Sequence, residues 1–190
     1  LDLIDFGDQV ALACEIARSS AEVVAMERNR FRLVVLDEYQ DTGVAQRVLF
    51  STLFGDGHAI TAVGDPNQAI YGWRGAAASN LANFGAHFAP GADASDPLPL
   101  MTSFRCDGRT LAAANAVAAP LHDSLVRKSR SRLTMPWLRS AADREQAGSV
   151  VAARLETASD EAEWLARRVA SAIEAGVPAG QIAVLGRRRT

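Results

Sequence analysis

Apolar residues fall along this chain in two patterns. One is the short continuous run that stops abruptly at a polar cluster. Leu33-Val34-Val35-Leu36 ends at Asp37-Glu38, and Ala59-Ile60-Thr61-Ala62-Val63 ends at Gly64-Asp65. Such runs predict strands buried on both faces. Residues 98–103, 150–155 and 182–185 read the same way, with Pro99 placing the first of these at an edge or a strand start. The other pattern is helical spacing. Val10, Ala13, Ile16 and Ala17 mark a first helix, and Ser19-Ser20-Ala21-Glu22 has the capping-box spacing that opens a second, running to about Asn29. Val44, Val48, Leu49 and Leu53 define a helix over 44–54, with Thr42 as its N-cap and Gly55 as its C-cap. Further helices are predicted over 76–88, with Leu81 and Phe84 inward, over 109–119, and over 159–174, where Trp164, Leu165, Val169 and Ile173 form the stripe. Gly176 and Pro178 stop the last of these.

Strand, helix and strand alternate, which predicts βαβ units and parallel sheets flanked by helices, an α/β chain with right-handed crossovers. The segment APGADASDP at 89–97 has no apolar period and is rich in Pro, Gly and Asp, so the domain boundary is expected there, separating residues 1–90 from 98–190. Asp2, Asp5 and Asp8 precede or enter the first helix, where acids favour its positive end. The stretch RKSRSR at 127–132 reads either as a contact for a nucleic-acid backbone or as a solvated loop, anchored by Trp137.

In open α/β sheets, ligands sit at the carboxyl ends of the strands. Two strand ends carrying Asp37, Glu38, Asp65 and Gln68 therefore predict one polar site. A carboxylate beside a second carboxylate suits metal-assisted phosphoryl transfer: one acid holds Mg²⁺, the other orients or deprotonates the attacking water. A solvated loop gives the same two letters. Gln68 can accept from that water or donate to a phosphate oxygen. Tyr71, Trp73 and Arg74 crowd a turn broken by Gly72 and Gly75, which forms either a stacking platform for unpaired bases or a small packing cluster. Arg105 ends the 98–103 strand, where it reads as an arginine finger or as an ordinary surface ion-pair residue.

DEYQDT at 37–42 and GDPNQAIYGWRGA at 64–76 resemble, in order and almost without gaps, the second and third motifs of the UvrD/Rep/PcrA-like superfamily 1 DNA helicases. IDFGDQVALA resembles the DFxDLL segment that precedes them, and TSFRC followed by Leu111 and Ala114-Asn115 resembles the fourth motif. The resemblance implies a RecA-like P-loop NTPase fold, with 1–90 as the latter part of a first motor domain and 98–190 as the start of a second. It implies Asp37 as the Mg²⁺ acid, Glu38 as the base for the hydrolytic water, and Gln68 as the sensor of the γ-phosphate of ATP. Phe104 would stack on adenine and Arg105 would reach the γ-phosphate. The family often has Tyr where Phe104 stands, so the ring face is kept and the hydroxyl lost. Tyr71 and Trp73, with Arg74 beside them, would stack on single-stranded DNA. The activity implied is ATP-dependent translocation and unwinding at duplex junctions, in DNA repair or recombination. A motor within a helicase–nuclease of actinobacterial type, or a non-catalytic scaffold that binds single strands or a partner, are the alternatives.

Composition changes this picture in three places. The net charge of −2 supplies no basic field, so any DNA contact must come from a local patch. Lys128 is the only lysine, the remaining cations are arginines and Ala is abundant, as expected of a high-GC genome. Cys14 and Cys106 are the only cysteines and have no metal-ligand spacing; two cysteines in this composition point to a reducing cytoplasm, and no run reaches membrane-spanning length. No GxxxxGK[ST] phosphate loop occurs in the 190 residues. With Leu1 in place of Met and Thr190 directly after a strand, the sequence is expected to be an internal piece whose phosphate loop lies upstream, and the piece alone is expected neither to hydrolyse ATP nor to unwind DNA.

Overall fold

A computed structural model describes residues 4–77, 79–91, 97–128 and 137–186, without the side chains of 122–128. Residues 92–96 of the linker, most of the 127–132 basic stretch, and Arg187, Arg188 and Arg189 lie outside the described residues. The chain divides into two compact units, Leu1–Ala147 and Gly148–Thr190. The boundary expected at 89–97 falls inside the first unit, where hydrogen bonds tie elements together within 5–89 and, separately, within 101–147.

Helix α1 is Phe6–Ser19. Asp5 and Asp8 start it as a reciprocal capping box: the Asp5 carboxylate accepts from the Asp8 N–H at 2.8 Å, and the Asp8 carboxylate from the Asp5 N–H at 3.0 Å. Helix α2, Ala21–Arg30, is capped by Ser20, whose hydroxyl accepts from the Val23 N–H. Strand β1, Val34–Leu36, leads through a 3₁₀ turn at Tyr39–Asp41 to helix α3, Val44–Phe54. The N-cap of α3 is Gly43, not Thr42; the Gln46 side chain accepts the Gly43 N–H at 3.0 Å. At the other end, Arg28 of α2 donates to the carbonyls of Leu53 at 2.6 Å and Gly55 at 2.9 Å, satisfying two acceptors that a helix terminus leaves open. Cys14 and Ala17 are buried where α1 packs on α3.

Strand β2, Ile60–Ala62, pairs parallel with β1 in the register Val34 to Ile60, Val35 to Thr61 and Leu36 to Ala62. The parallel pairing agrees with the expectation, but the burial differs. Val34, Leu36, Ile60 and Ala62 are half-buried, whereas Val35 and Thr61 are exposed. Successive side chains in a strand point to opposite faces, and only one face is covered among the described residues. The helix expected over 76–88 is split at Asn83 into α4, Ser79–Ala82, and α5, Phe84–Phe88. The Asn83 side chain bonds back to the Ser79 carbonyl at 3.0 Å, the kind of local competition that makes Asn a poor helix-interior residue.

Tyr39 is the centre of the core beside these strands, fully buried and edge-on to Phe84 at 5.6 Å and Phe88 at 6.2 Å. Its hydroxyl has no partner among the described residues, and burial pushes its pKa up to about 12. Nearby, burial and then the Arg47 charge lower the pKa of His87. Removing an unpaired buried hydroxyl removes a desolvation cost while keeping the ring. Tyr39→Phe is therefore expected to leave stability unchanged or raise it by about 1 kcal/mol, whereas Tyr39→Ala is expected to cost about 3–5 kcal/mol. Denaturant midpoints of the two variants check both signs.

In the 101–147 region, β3 at Thr102–Ser103 pairs parallel with β4 at Arg139–Ser140. The 98–103 strand is thus shorter than expected. Helix α6, Gly108–Lys128, passes through Pro120, where a stop was expected. Proline removes one intrahelical donor and is usually costly inside a helix. Asn115 on α6 pairs with the Leu138 backbone both ways, donating at 2.8 Å and accepting at 3.2 Å, and this holds the approach to β4.

The second unit contains helix α7, Ala158–Glu174. Thr157, not Ser159, is its N-cap. Gly176, at φ 93°, closes it in a Schellman arrangement: Val177 N–H reaches Ala172 and Gly176 N–H reaches Ile173. Trp164, Leu165 and Val169 are half-buried and Ile173 is exposed. Residues 150–155 and 182–185, expected as strands, form no ladder among the described residues, because a strand exists only where partner backbone groups are present. No helix among the described residues is long and apolar enough to cross a membrane.

Candidate functional site

The two parallel strands end side by side, and their hydrogen-bond ladder continues past the regular strands. Val63 N–H donates to the Leu36 carbonyl at 2.8 Å, and Tyr39 N–H to the Val63 carbonyl at 3.0 Å. Asp37 and Glu38 lie in the exposed bend between β1 and the Tyr39–Asp41 turn. Glu38 takes left-handed backbone angles, φ 49° and ψ 39°, which a non-glycine residue adopts at a cost of about 1–3 kcal/mol. The Asp37 Oδ1 accepts the Glu38 N–H at 2.9 Å. Its Oδ2 carries no hydrogen bond among the described residues, so one hard oxygen faces outward, as a Mg²⁺ ligand would.

After β2, Asp65 caps the 3₁₀ turn Pro66–Gln68 by accepting the Asn67 N–H at 2.9 Å. Its other oxygen accepts from Gln68 Nε2 at 2.8 Å. Gln40, which the sequence reading passed over, joins the two strand ends. Its Nε2 donates to Glu38 Oε2 at 2.6 Å, and its Oε1 accepts the Asp65 N–H at 3.0 Å. Glu38, Gln40, Asp65 and Gln68 thus form one hydrogen-bonded path. A polar residue followed by an acidic turn gives no signal of this in sequence; only the three-dimensional closeness of 40 and 65 does. Asp41, at the end of the 3₁₀ turn, has a buried Oδ1 with no partner among the described residues.

The loop beyond Gln68 carries the aromatic cluster. Tyr71 and Trp73 lie 6.3 Å apart, and the Arg74 guanidinium stands 5.8 Å from the first ring and 5.3 Å from the second. Trp73 is 78% exposed, so the cluster is a surface platform, not a packing core. Gly75, at φ 86°, turns the chain back so that Ala76 forms a β-bridge with Gly43. Asn80, buried, donates to the Thr42 carbonyl at 2.8 Å. The aromatic loop is therefore pinned at both ends to the segment that carries Asp37 and Glu38.

Phe104 and Arg105 lie in the bend after β3, and Phe104 is 77% exposed. Arg144 organises this bend: it pairs with Asp107 at 2.7 Å and donates to the carbonyls of Phe104 at 2.9 Å and Arg105 at 3.3 Å. Gly108 packs so closely on the Glu145 backbone that a Cβ there would collide with the Glu145 carbonyl. The Arg105 side chain has no ion pair among the described residues. No hydrogen bond, ion pair or ring contact joins Phe104 or Arg105 to Asp37, Glu38 or Gln68 among the described residues. The structure thus shows two separate clusters.

Fold and site together define an α/β chain with a polar site at the carboxyl ends of parallel strands and an exposed aromatic–arginine platform beside it. Residues 1–89 match the UvrD/REP helicase N-terminal domain. ATP-dependent DNA helicase Rep of Escherichia coli (strain K12) is 36% identical over 118 residues, 62% of this chain and 17% of Rep. DNA helicase II of the same strain is 36% identical over 115 residues, 60% of this chain and 15% of that protein. A probable DNA helicase II homolog of Rickettsia conorii (strain ATCC VR-613 / Malish 7) is 30% identical over 187 residues, 98% of this chain and 26% of the homolog. These matches support a reading of the chain as a fragment of a UvrD/Rep/PcrA-like superfamily 1 helicase, with residues 1–89 carrying the likeness to the N-terminal domain. The chain spans about a quarter or less of the length of these curated relatives.

Proposed function

We propose that this chain is part of an ATP-driven motor that moves on single-stranded DNA and opens duplex junctions, working in the cytoplasm in DNA repair or recombination. The carrying observation is the pinning of the Tyr71, Trp73 and Arg74 platform to the same paired strand ends that hold Asp37, Glu38 and Gln68. A group that binds bases and a group that handles phosphate then share one rigid connection. The relatives named ATP-dependent DNA helicases support the reading.

In this reading the fold is RecA-like, with residues 1–90 belonging to one motor domain and 98–190 to the next. ATP lies between them. Asp37 offers Oδ2 to Mg²⁺, an ion that usually takes one or two carboxylates and fills its other positions with water and phosphate. When bound, Mg²⁺ neutralises charge on the phosphates. Glu38 accepts a proton from the attacking water. Gln68, released from Asp65, reaches the γ-phosphate; Phe104 stacks on the adenine and Arg105 neutralises charge on the transferred group.

DNA binding tests the reading directly. Base stacking on an aromatic ring contributes about 1–3 kcal/mol per base. Trp73→Ala in the full-length protein is expected to weaken single-stranded DNA binding by roughly 5–150-fold with ATP binding unchanged. Fluorescence anisotropy with a labelled oligonucleotide measures it. An affinity within twofold of wild type would remove the platform from the mechanism.

A further inference from the structure

Gln40 is buried to 1% exposure and belongs to neither the nucleotide-facing set nor the aromatic platform. A buried amide left unpaired costs about 1–3 kcal/mol, and here both of its ends are satisfied across a gap of 25 residues in sequence. The orientation of the amide is unambiguous. The Asp65 N–H can only donate, so Oε1 must face it, and Nε2 must face the Glu38 carboxylate. The bond to Asp65 takes the next position of the β1–β2 ladder. The main chain keeps one more rung through the Tyr39 N–H, but at the left-handed Glu38 the carbonyl turns away to accept the Asp41 N–H at 2.9 Å, and the Gln40 side chain supplies the acceptor the backbone no longer offers. Gly64 keeps the space: a Cβ there would stand 2.6 Å from Gln40 Oε1 and 3.2 Å from Gln40 N.

We infer that Gln40 is a positioning residue that fixes the Glu38 carboxylate and couples its direction to the 64–68 turn, so that a change at Gln68 is transmitted through Asp65 to Glu38. This rests on the reading of Glu38 as the base. Glu38 is exposed, and an exposed glutamate retains rotamer freedom that a short charge-assisted hydrogen bond removes. Small misplacements of a reacting group cost rate out of proportion to their size.

The test uses the full-length protein and DNA-stimulated ATP hydrolysis. Gln40→Met keeps the length of the side chain and removes both hydrogen-bonding groups. It is expected to lower kcat at least about tenfold with KM for ATP within twofold of wild type. In a Glu38→Gln background, the same substitution is expected to cause no further fall in the residual single-turnover rate, because the group it positions is gone. Gly64→Ala, which displaces Gln40 Oε1 while leaving the residue in place, is expected to reproduce the loss in kcat, and it serves as the test if Gln40→Met does not fold. A kcat within twofold of wild type for the variant that folds, or an equal loss in both backgrounds, overturns the positioning role. Should Glu38→Gln itself retain turnover, the base assignment fails; should Glu38→Gln lose turnover while Gln40→Met and Gly64→Ala keep it, the positioning role alone fails.

Discussion

Arg105→Ala in the full-length protein is expected to reduce kcat for ATP hydrolysis by about a thousandfold or more, with a much smaller change in ATP affinity. An arginine that neutralises charge on a transferring phosphoryl group acts mainly in the transition state, so its removal falls on kcat. Three features of the 101–147 region support the assignment. The Arg105 guanidinium is exposed and makes no ion pair among the described residues, so no local carboxylate competes for it. Arg144 is the cation that does the structural work there, pairing with Asp107 and gripping the carbonyls of Phe104 and Arg105. Gly108 and the Arg109 N–H hold the start of α6 against residues 145–147, which fixes the bend from behind. Arg105→Lys is expected to recover only part of the rate, since a point charge replaces a planar fork. Single-turnover hydrolysis at saturating ATP measures both variants. A loss of less than tenfold for Arg105→Ala would return Arg105 to an ordinary surface role.

Glu38→Gln is expected to reduce hydrolysis by about a hundredfold to ten-thousandfold while ATP binding and folding persist. The substitution is nearly isosteric. Its amide oxygen can still accept from Gln40 Nε2, so the geometry around Gln40 and Asp65 has no reason to change. What disappears is the carboxylate proposed to accept a proton. The strained backbone at Glu38 points the same way. A left-handed non-glycine residue at the exposed end of a strand is costly, and such strain concentrates where a side chain must be aimed. Nucleotide binding by fluorescent-analogue titration, beside phosphate release, separates the two effects. Turnover near the wild-type rate would sink the base assignment.

Much of the local structure was legible in sequence. The 44–54 helix, the Gly176 stop of α7 and the parallel relation of the two central strands follow from apolar spacing and cap chemistry, which are local properties, and the start of α2 was off by one residue, since Ser20 caps it and the Ser19–Glu22 capping box does not form. The failures have physical causes. Thr42 and Gly43 are both acceptable caps, and the choice fell to whichever backbone N–H the Gln46 side chain could reach. Residues 150–155 and 182–185 have strand patterns, but a ladder requires a partner that sequence spacing cannot supply. Val35 was expected to be buried because apolar runs usually lie between two covering layers, and only one face is covered among the described residues. Gln40 escaped notice because its importance lies in a contact with Asp65, which is distant in sequence. That Asp37, Glu38, Asp65 and Gln68 gather at two neighbouring strand ends was legible from the apolar runs before them; the hydrogen-bonded path that joins Glu38 to Gln68 was not.

The most direct test of the central claim is steady-state ATP hydrolysis by the full-length protein with and without single-stranded DNA. A motor whose base-stacking loop is pinned to its hydrolytic strand ends predicts a low basal rate that rises strongly on addition of DNA. Tight DNA binding with no hydrolysis in either condition would contradict it, and would favour a scaffold that holds single strands without turnover.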